Sequence, residues 1–275
     1  MIRHEKLKKL KTHLKSLKSV LLAYSGGVDS SFLLKVASDV LGDKVLAVTA
    51  LSETYPALEA EKARTLAEKL KVRLEMIRTH ELRDPRFRRN PENRCYFCKK
   101  ELFAQLVRLA RKNRLRAVID GSNLDDLSDY RPGSKAKEES GIISPLCEAQ
   151  LTKKDIRALS KQLGLPTWNK PALACLASRI PYHSVINCQR LRRIDKAEEI
   201  LRDTFGIKGN LRVRDFGAKA LIEVDKKEIK KIGLSKKVIS LLGGLGYKKV
   251  IVDLKGYRSG SMNGALRFAC RQTGI

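Results

Sequence analysis

Apolar and polar positions along this chain alternate between two rhythms. Leu7, Leu10, Leu14 and Leu17 return every three or four positions among lysines, which predicts an amphipathic helix over 5–19. Val20-Leu-Leu-Ala-Tyr24 is a short continuous apolar run, the mark of a strand buried on both faces, and it leads straight into glycines. Further helices are predicted over 30–41, closed by Gly42, and over 57–70 and 102–113; strands are predicted over 44–50, 72–77 and 117–120. This alternation is the pattern of a parallel sheet covered by helices on both faces. Ligands of such sheets bind beyond the carboxyl ends of the strands. Ser25-Gly26-Gly27 and Gly121-Ser122-Asn123 both follow strands directly, so both are expected at one crevice.

Downstream, a helix is predicted over 151–163, with Thr152 as its cap and Asp155 three residues on. Pro166 and Pro171 mark a boundary between domains of residues 1–165 and 166–275. A helix over 191–205, strands over 211–214 and 220–224 around Gly217, a helix over about 226–242 and a strand over 250–254 make the second domain a smaller α+β unit. The expected class is therefore α/β: a Rossmann-like parallel sheet flanked by helices, with a C-terminal α+β domain.

With 43% apolar and 32% charged residues the chain has a soluble, globular balance. The apolar run 20–23 is too short for a membrane span, and nothing near Met1 reads as a signal peptide, so a cytoplasmic protein with no membrane role is expected. The net charge of +27 would attract polyanions, but the charges are spread along the chain and read first as solvated helix faces. Six cysteines stand at 95, 98, 147, 175, 188 and 270. In a cytosolic chain they point to metal or sulfur chemistry and away from a disulfide framework. His4, His13, His80, His183 and Trp168 form no ligand or triad spacing.

Ser25-Gly26-Gly27-Val28-Asp29-Ser30, between a strand and a helix, carries the strongest chemical signal. Its glycines let main-chain N–H groups approach an anion, and the helix N-terminus adds a favourable dipole. No Gly-Lys-Ser/Thr ending follows, so this is not the usual P-loop. Asp29 is suited to a magnesium ion more than to bare phosphate. The string resembles the PP-loop signature of the N-type ATP pyrophosphatases, which split ATP into AMP and pyrophosphate while adenylating a substrate. That resemblance implies ATP contacts from Ser25, Gly26, Gly27, Asp29 and Ser30, from Thr49 and Ser52 at the end of the second strand, and from Gly121, Asn123, Asp126 and Arg131.

Arg94-Cys95-Tyr-Phe-Cys98-Lys99 has a two-residue spacing that suits a metal or an iron–sulfur cluster, and one such pair does not make a four-thiolate zinc site. Cys175, in a small-residue loop beside Arg179, is the best third thiolate, its alternative being a buried apolar filler.

Several strings together resemble the LarE family of ATP-dependent sulfur transferases. They are Ser25 to Ser30, Asn93-Arg94-Cys95-Tyr-Phe-Cys98-Lys99, Asp120-Gly-Ser-Asn-Leu-Asp-Asp126, Asp129-Tyr-Arg-Pro-Gly133, Ser144-Pro-Leu-Cys-Glu148, Cys175-Leu-Ala-Ser-Arg-Ile-Pro181 and Leu211-Arg-Val-Arg214. The resemblance implies adenylation of a pyridinium dicarboxylate mononucleotide, then displacement of AMP by sulfur to give a thiocarboxylate for the nickel-pincer cofactor of lactate racemase. Asp29 and Cys175 are the implied catalytic residues. One branch of the family takes sulfur from the cysteine at the position of Cys175; the other holds a 4Fe–4S cluster on three cysteines, here Cys95, Cys98 and Cys175, and this chain has all three. Substrate contacts are implied for Ser178, Arg179, Arg212 and Arg214, and a metal site for Glu199 and Glu223, with Glu198 an equal alternative to Glu199. The family also implies a homo-oligomer and a donor that reloads sulfur. Two positions depart from the pattern: Cys147 stands where a small residue is expected, opening a further ligand, and His183 stands where glycine is usual, altering a turn. The rival readings are a tRNA-thiolating enzyme, an ammonia-dependent amide ligase needing none of the cysteines, and a non-catalytic nucleotide-sensing module. No zinc-ribbon pairs or RNA-binding appendage accompany the loop, which disfavours nucleic acid as partner.

Overall fold

The computed structural model describes residues 2–128, 132–171, 174–258 and 260–263. The chain divides into two compact units, residues 1–87 with 92–170 and residues 88–91 with 171–275.

In the first unit the elements run α1 (Arg3–Leu17), β1 (Val20–Ala23), α2 (Val28–Leu41), β2 (Val45–Leu51), α3 (Ala57–Lys69), β3 (Arg73–Arg78), α4 (Pro85–Arg88), α5 (Arg94–Lys112), β4 (Ala117–Ile119), α6 (Gly133–Glu139), α7 (Pro145–Glu148) and α8 (Lys153–Gln162). The strands form one parallel sheet in the order β3-β2-β1-β4. Ile143 extends it by a parallel bridge to Ile119. Alternation along β1 sends its side chains to two cores. Val20 and Leu22 join Leu10, Leu14, Phe32, Leu33 and Ile156 on one face. Leu21, with Leu46 and Val48, joins Phe103, Leu106 and Ala110 on the other. Each such side chain contributes roughly 1.5–3 kcal/mol by leaving water, so the sheet is fixed between its helices by its own alternation.

The predicted α/β class holds, and one boundary in this unit differs instructively. The helix expected over 102–113 begins at Arg94, so Cys95 and Cys98 sit in its first two turns. The cap of α8 forms as expected: Thr152 Oγ1 accepts from Asp155 N at 3.2 Å, and Asp155 accepts from Thr152 N at 3.3 Å.

The second unit holds α9 (Cys188–Phe205), β5 (Leu211–Phe216), β6 (Lys219–Val224), α10 (Lys236–Gly244) and β7 (Lys249–Val252). β5 and β6 form an antiparallel hairpin around Gly217, and β7 runs parallel to β6. Ala197, Leu201, Val213, Ile222, Val238 and Leu242 close its core. The single helix expected over 226–242 is in fact a 3-10 turn at Lys226–Lys231 and then α10, because Gly233 interrupts it and Ser235 caps a new start by accepting from Val238 N.

Residues 88–91 belong to this unit through Asn90. Its Nδ2 donates to the carbonyls of Ile180, Pro181 and Ser184, at 3.3, 2.7 and 3.1 Å. Its own carbonyl accepts from His183 N. His183 has φ 64°, a left-handed backbone that favours glycine. Asn90→Ala should lower the unfolding free energy in urea by about 2–3 kcal/mol, at about 1 kcal/mol per lost bond.

Candidate functional site

The glycine loop of the first unit is held by sterics and hydrogen bonds together. Gly26 has φ +62°, and a Cβ there would meet the Cβ of Ala63 at 2.8 Å, so the position excludes a side chain twice over. Ser30 Oγ lies 3.1 Å from Ser25 Oγ and accepts from Ser25 N at 3.3 Å, folding the loop over the start of α2. Gly121 packs against it: a Cβ there would stand 3.0 Å from Ser30 N. The two loops expected at one crevice are thus in contact, backbone to backbone.

Beside them, Asn123 is buried and its Oδ1 accepts from Asp125 N, while Asp126 accepts from Asn123 N. Asp29 is the pivotal group. Lys153 Nζ donates to its Oδ2, and Oδ1 is buried with no partner. Burial pushes the Asp29 carboxyl above the usual carboxylate range, Lys153 opposes that shift, and Asp126 adds to it. An orphaned, buried carboxylate oxygen at the mouth of a phosphate-type cradle fits a hard divalent cation.

The remaining expected nucleotide contacts are placed differently. Thr49 is buried, and its hydroxyl donates to Tyr24 O at 2.8 Å, so its side chain serves the sheet. Ser52 Oγ lies 2.9 Å from Thr54 Oγ1, which donates to the buried Glu81. Arg131 lies outside the described residues. Three residues at the loop were not anticipated. Lys153 pairs with Asp29, Lys170 Nζ donates to Gly26 O at 2.9 Å, and Tyr55 donates its hydroxyl to Ser25 O at 2.7 Å. Only Lys153 had a local signal, as the first residue of a capped helix.

Cys95 and Cys98 are half-buried, three residues apart on α5, a spacing that puts both on one helix face. As thiolates they suit iron or zinc, although among the described residues of either unit no three His, Cys, Asp or Glu side chains gather to hold a metal. Burial pushes the Cys147 thiol up to about 11, against Lys137, so it stays protonated at neutral pH and is a poor ligand without a metal to displace the proton.

In the second unit Cys175 is exposed at the start of a 3-10 turn, Leu176–Arg179. Its carbonyl accepts from Ser178 N, from Ser178 Oγ at 2.8 Å and from Arg179 Nη1 at 2.9 Å. Arg179 is 2% exposed and makes a two-point pair with Glu198, at 2.9 and 3.0 Å. Arg212 and Arg214, both buried, share one side of β5. Arg214 pairs with Glu223 at 2.8 Å, donates to Ser178 O at 3.0 Å, and meets Ser261. Arg212 lies over the Tyr257 ring. Burial, and Arg179 beside it, lower its guanidinium to about 10. Guanidinium groups on one side of β5 are donors suited to an anion. Glu223 is engaged by Arg214 and Ser261, whereas Glu199 is half-exposed and paired with Lys196.

Sequence comparisons identify relatives of this chain. The family model described as NAD synthase matches residues 3–120. The pyridinium-3,5-bisthiocarboxylic acid mononucleotide synthase of Lactiplantibacillus plantarum is 39% identical over 92% of this chain and 92% of its own length. The chain belongs to the LarE family. Other members with uncharacterised activity are a Synechocystis protein, 42% identical over 95% of this chain and 98% of its own, and a Methanocaldococcus jannaschii protein, 34% identical over 94% and 100%. The LarE strings read from the sequence thus lie within a match that runs nearly end to end.

A carboxyl raised on folding makes the native state bind the extra proton, so stability falls as pH climbs from its ordinary value through the raised one. Asp29→Asn should therefore raise the Tm of the nucleotide-free protein at neutral pH while abolishing adenylation, read by thermal melts beside pyrophosphate exchange. Gly26→Ala should lower ATP affinity at least tenfold, since both φ and the Ala63 contact oppose it.

Proposed function

We propose that this chain is an ATP-dependent sulfur transferase acting on a pyridinium dicarboxylate mononucleotide. A substrate carboxylate attacks the α-phosphorus of ATP, pyrophosphate leaves, and sulfur then displaces AMP to leave a thiocarboxylate, a step repeated at the second carboxylate. The observation that carries this reading is the exposed Cys175 in a loop whose carbonyls accept from two buried arginines, Arg179 and Arg214. A phosphorylated, carboxylated ligand is the kind of anion that guanidinium groups recruit. The Lactiplantibacillus relative, a pyridinium-3,5-bisthiocarboxylic acid mononucleotide synthase, supports the same substrate class.

The residues divide the work. Gly26, Gly27, Ser25 and Ser30 offer N–H and hydroxyl groups to the pyrophosphate end of ATP. Asp29 would hold magnesium, which when bound neutralises charge on the phosphates as pyrophosphate departs. Lys153, which donates to Asp29, would add positive charge beside the same phosphates. Arg212 and Arg214 hold the mononucleotide phosphate, with Ser178 beside them. Cys95 and Cys98 fit a 4Fe–4S cluster by donor chemistry; Cys175 joins them as third ligand by the family resemblance. Such a cluster, when bound, supplies inorganic sulfur as the nucleophile. Assembly into a homo-oligomer and service to lactate racemase maturation complete the reading.

Anaerobic purification should yield about four irons and matching labile sulfide per chain. Cys175→Ala should keep mononucleotide-dependent ATP–pyrophosphate exchange and make no thiocarboxylate. Exchange that fails with every pyridinium mononucleotide sinks the reading. If iron stays absent after anaerobic reconstitution, only the cluster falls, and Cys175 should then lose the mass of one H₂S on turnover. Arg214→Ala should raise the mononucleotide KM at least tenfold and leave the ATP KM within about twofold, the loss expected for one charge-assisted pair.

A further inference from the structure

We infer that Glu198 is a positioning residue for sulfur transfer, acting through Arg179 to fix the backbone of Cys175 and directly to fix β5 between Arg212 and Arg214. The inference rests on the proposed function for its chemistry and on geometry for its residues.

Glu198 Oε1 accepts from Arg179 Nε at 2.9 Å and from the main-chain N–H of Val213 at 3.0 Å; Oε2 accepts from Arg179 Nη2 at 3.0 Å. Arg179 Nη1 donates to the carbonyls of Ala174 and Cys175, at 2.7 and 2.9 Å, and to Ser178 Oγ at 3.1 Å. A single carboxylate thus ties the loop that bears the exposed thiol to the strand that bears the two anion-binding arginines. The loop is a single 3-10 turn that buries Leu176, Ala177 and Ile180; Arg214 Nη1 also donates to Ser178 O at 3.0 Å, and the thiol itself stands in solvent. The donors of Arg179 are directed inward and the residue is 2% exposed, which suits it to hold the loop and not to touch substrate as the family resemblance implies. Glu199, the next residue on α9, faces outward to Lys196, so the interior acid of this pair is Glu198, and its ligand is a guanidinium.

This arrangement has a chemical consequence. Glu198 holds the Arg179 guanidinium where Nη1 reaches the Ala174 and Cys175 carbonyls. Removing the carboxylate alone frees that guanidinium to turn away; removing both partners leaves no anchor. A displacement of about 1 Å in a reacting group costs on the order of 100-fold in rate, so the transfer step should register the loss and the adenylation step should not.

The test compares Glu198→Gln with the double variant Arg179→Met, Glu198→Leu, in which apolar groups of similar size replace the buried pair at little cost in stability. Glu198→Gln should keep pyrophosphate exchange and the mononucleotide KM within threefold while thiocarboxylate formation falls at least tenfold. The double variant should melt within a few degrees of the wild type and show the same loss. In parallel, hydrogen exchange of the peptide spanning 174–180, read by mass, should quicken at least threefold in both variants. A folded double variant that transfers sulfur at the wild-type rate overturns the proposal, as does a mononucleotide KM that rises in step with the loss of turnover in Glu198→Gln. If the wild type adenylates no mononucleotide, the proposed function fails, and the exchange rates alone decide: a rise in both variants supports positioning, and rates equal in all three proteins overturn it.

Discussion

Ionised side chains are held out of water in both units, each beside a partner of opposite sign. Taking a carboxylate or guanidinium out of water costs several kcal/mol, so a fold tolerates it only where partners stand close. In the first unit Lys153 satisfies one oxygen of Asp29 and leaves the other buried and bare. In the second, Glu198 pairs with Arg179 and Glu223 with Arg214, while burial and the neighbouring Arg179 lower the basicity of Arg212. The bare oxygen beside the glycine loop suits a cation that can accompany phosphates, and the guanidinium groups on β5 suit an anion.

The scaffold around the glycine loop is made of backbone. Gly26 meets Ala63 at a distance no side chain allows, and Gly121 packs tightly against Ser30. Both loops begin where strands of one parallel sheet end, so their spacing is set by the ladder between β1 and β4. In the second unit the Cys175 turn buries Leu176 and Ala177, and its carbonyls accept from Ser178, Arg179 and Arg214. The first loop is fixed by sterics, the second by packing together with buried guanidinium groups.

Much of this was legible in the sequence, for reasons that differ by element. The sheet could be read because β1, β2 and β4 are buried on both faces and so are continuously apolar. The glycine loop could be read because its steric demands admit few residue types. Lys153 and Lys170 could not, since each meets its partner more than a hundred residues away, and a lysine in isolation reads as a solvated one. The start of α5 at Arg94 was hidden because a cysteine pair invites reading as a loop ligand, although Cys95, Cys98 and Leu102 keep helical spacing. The break before α10 was visible in Gly233 and Ser235, which outrank the apolar rhythm that runs across them.

Glu198 shows what a closer reading of periodicity yields. On α9 the buried positions are Leu191, Ile194, Ala197, Glu198 and Leu201, the spacing of one apolar stripe. An acidic residue inside such a stripe cannot be solvated once the helix packs, and it must find a cation or a set of N–H donors. Glu199, one residue on, is rotated by about 100° about the helix axis and falls on the open face. The choice between the two, undecidable from resemblance, follows from the helix itself. The same stripe implies that the cation is an arginine from a segment packed against α9, since two parallel N–H groups satisfy both oxygens of a carboxylate where a lysine satisfies one. Arg179 meets that demand from the loop that carries the thiol. The helix that closes the core of the second unit thereby also orients its reactive sulfur.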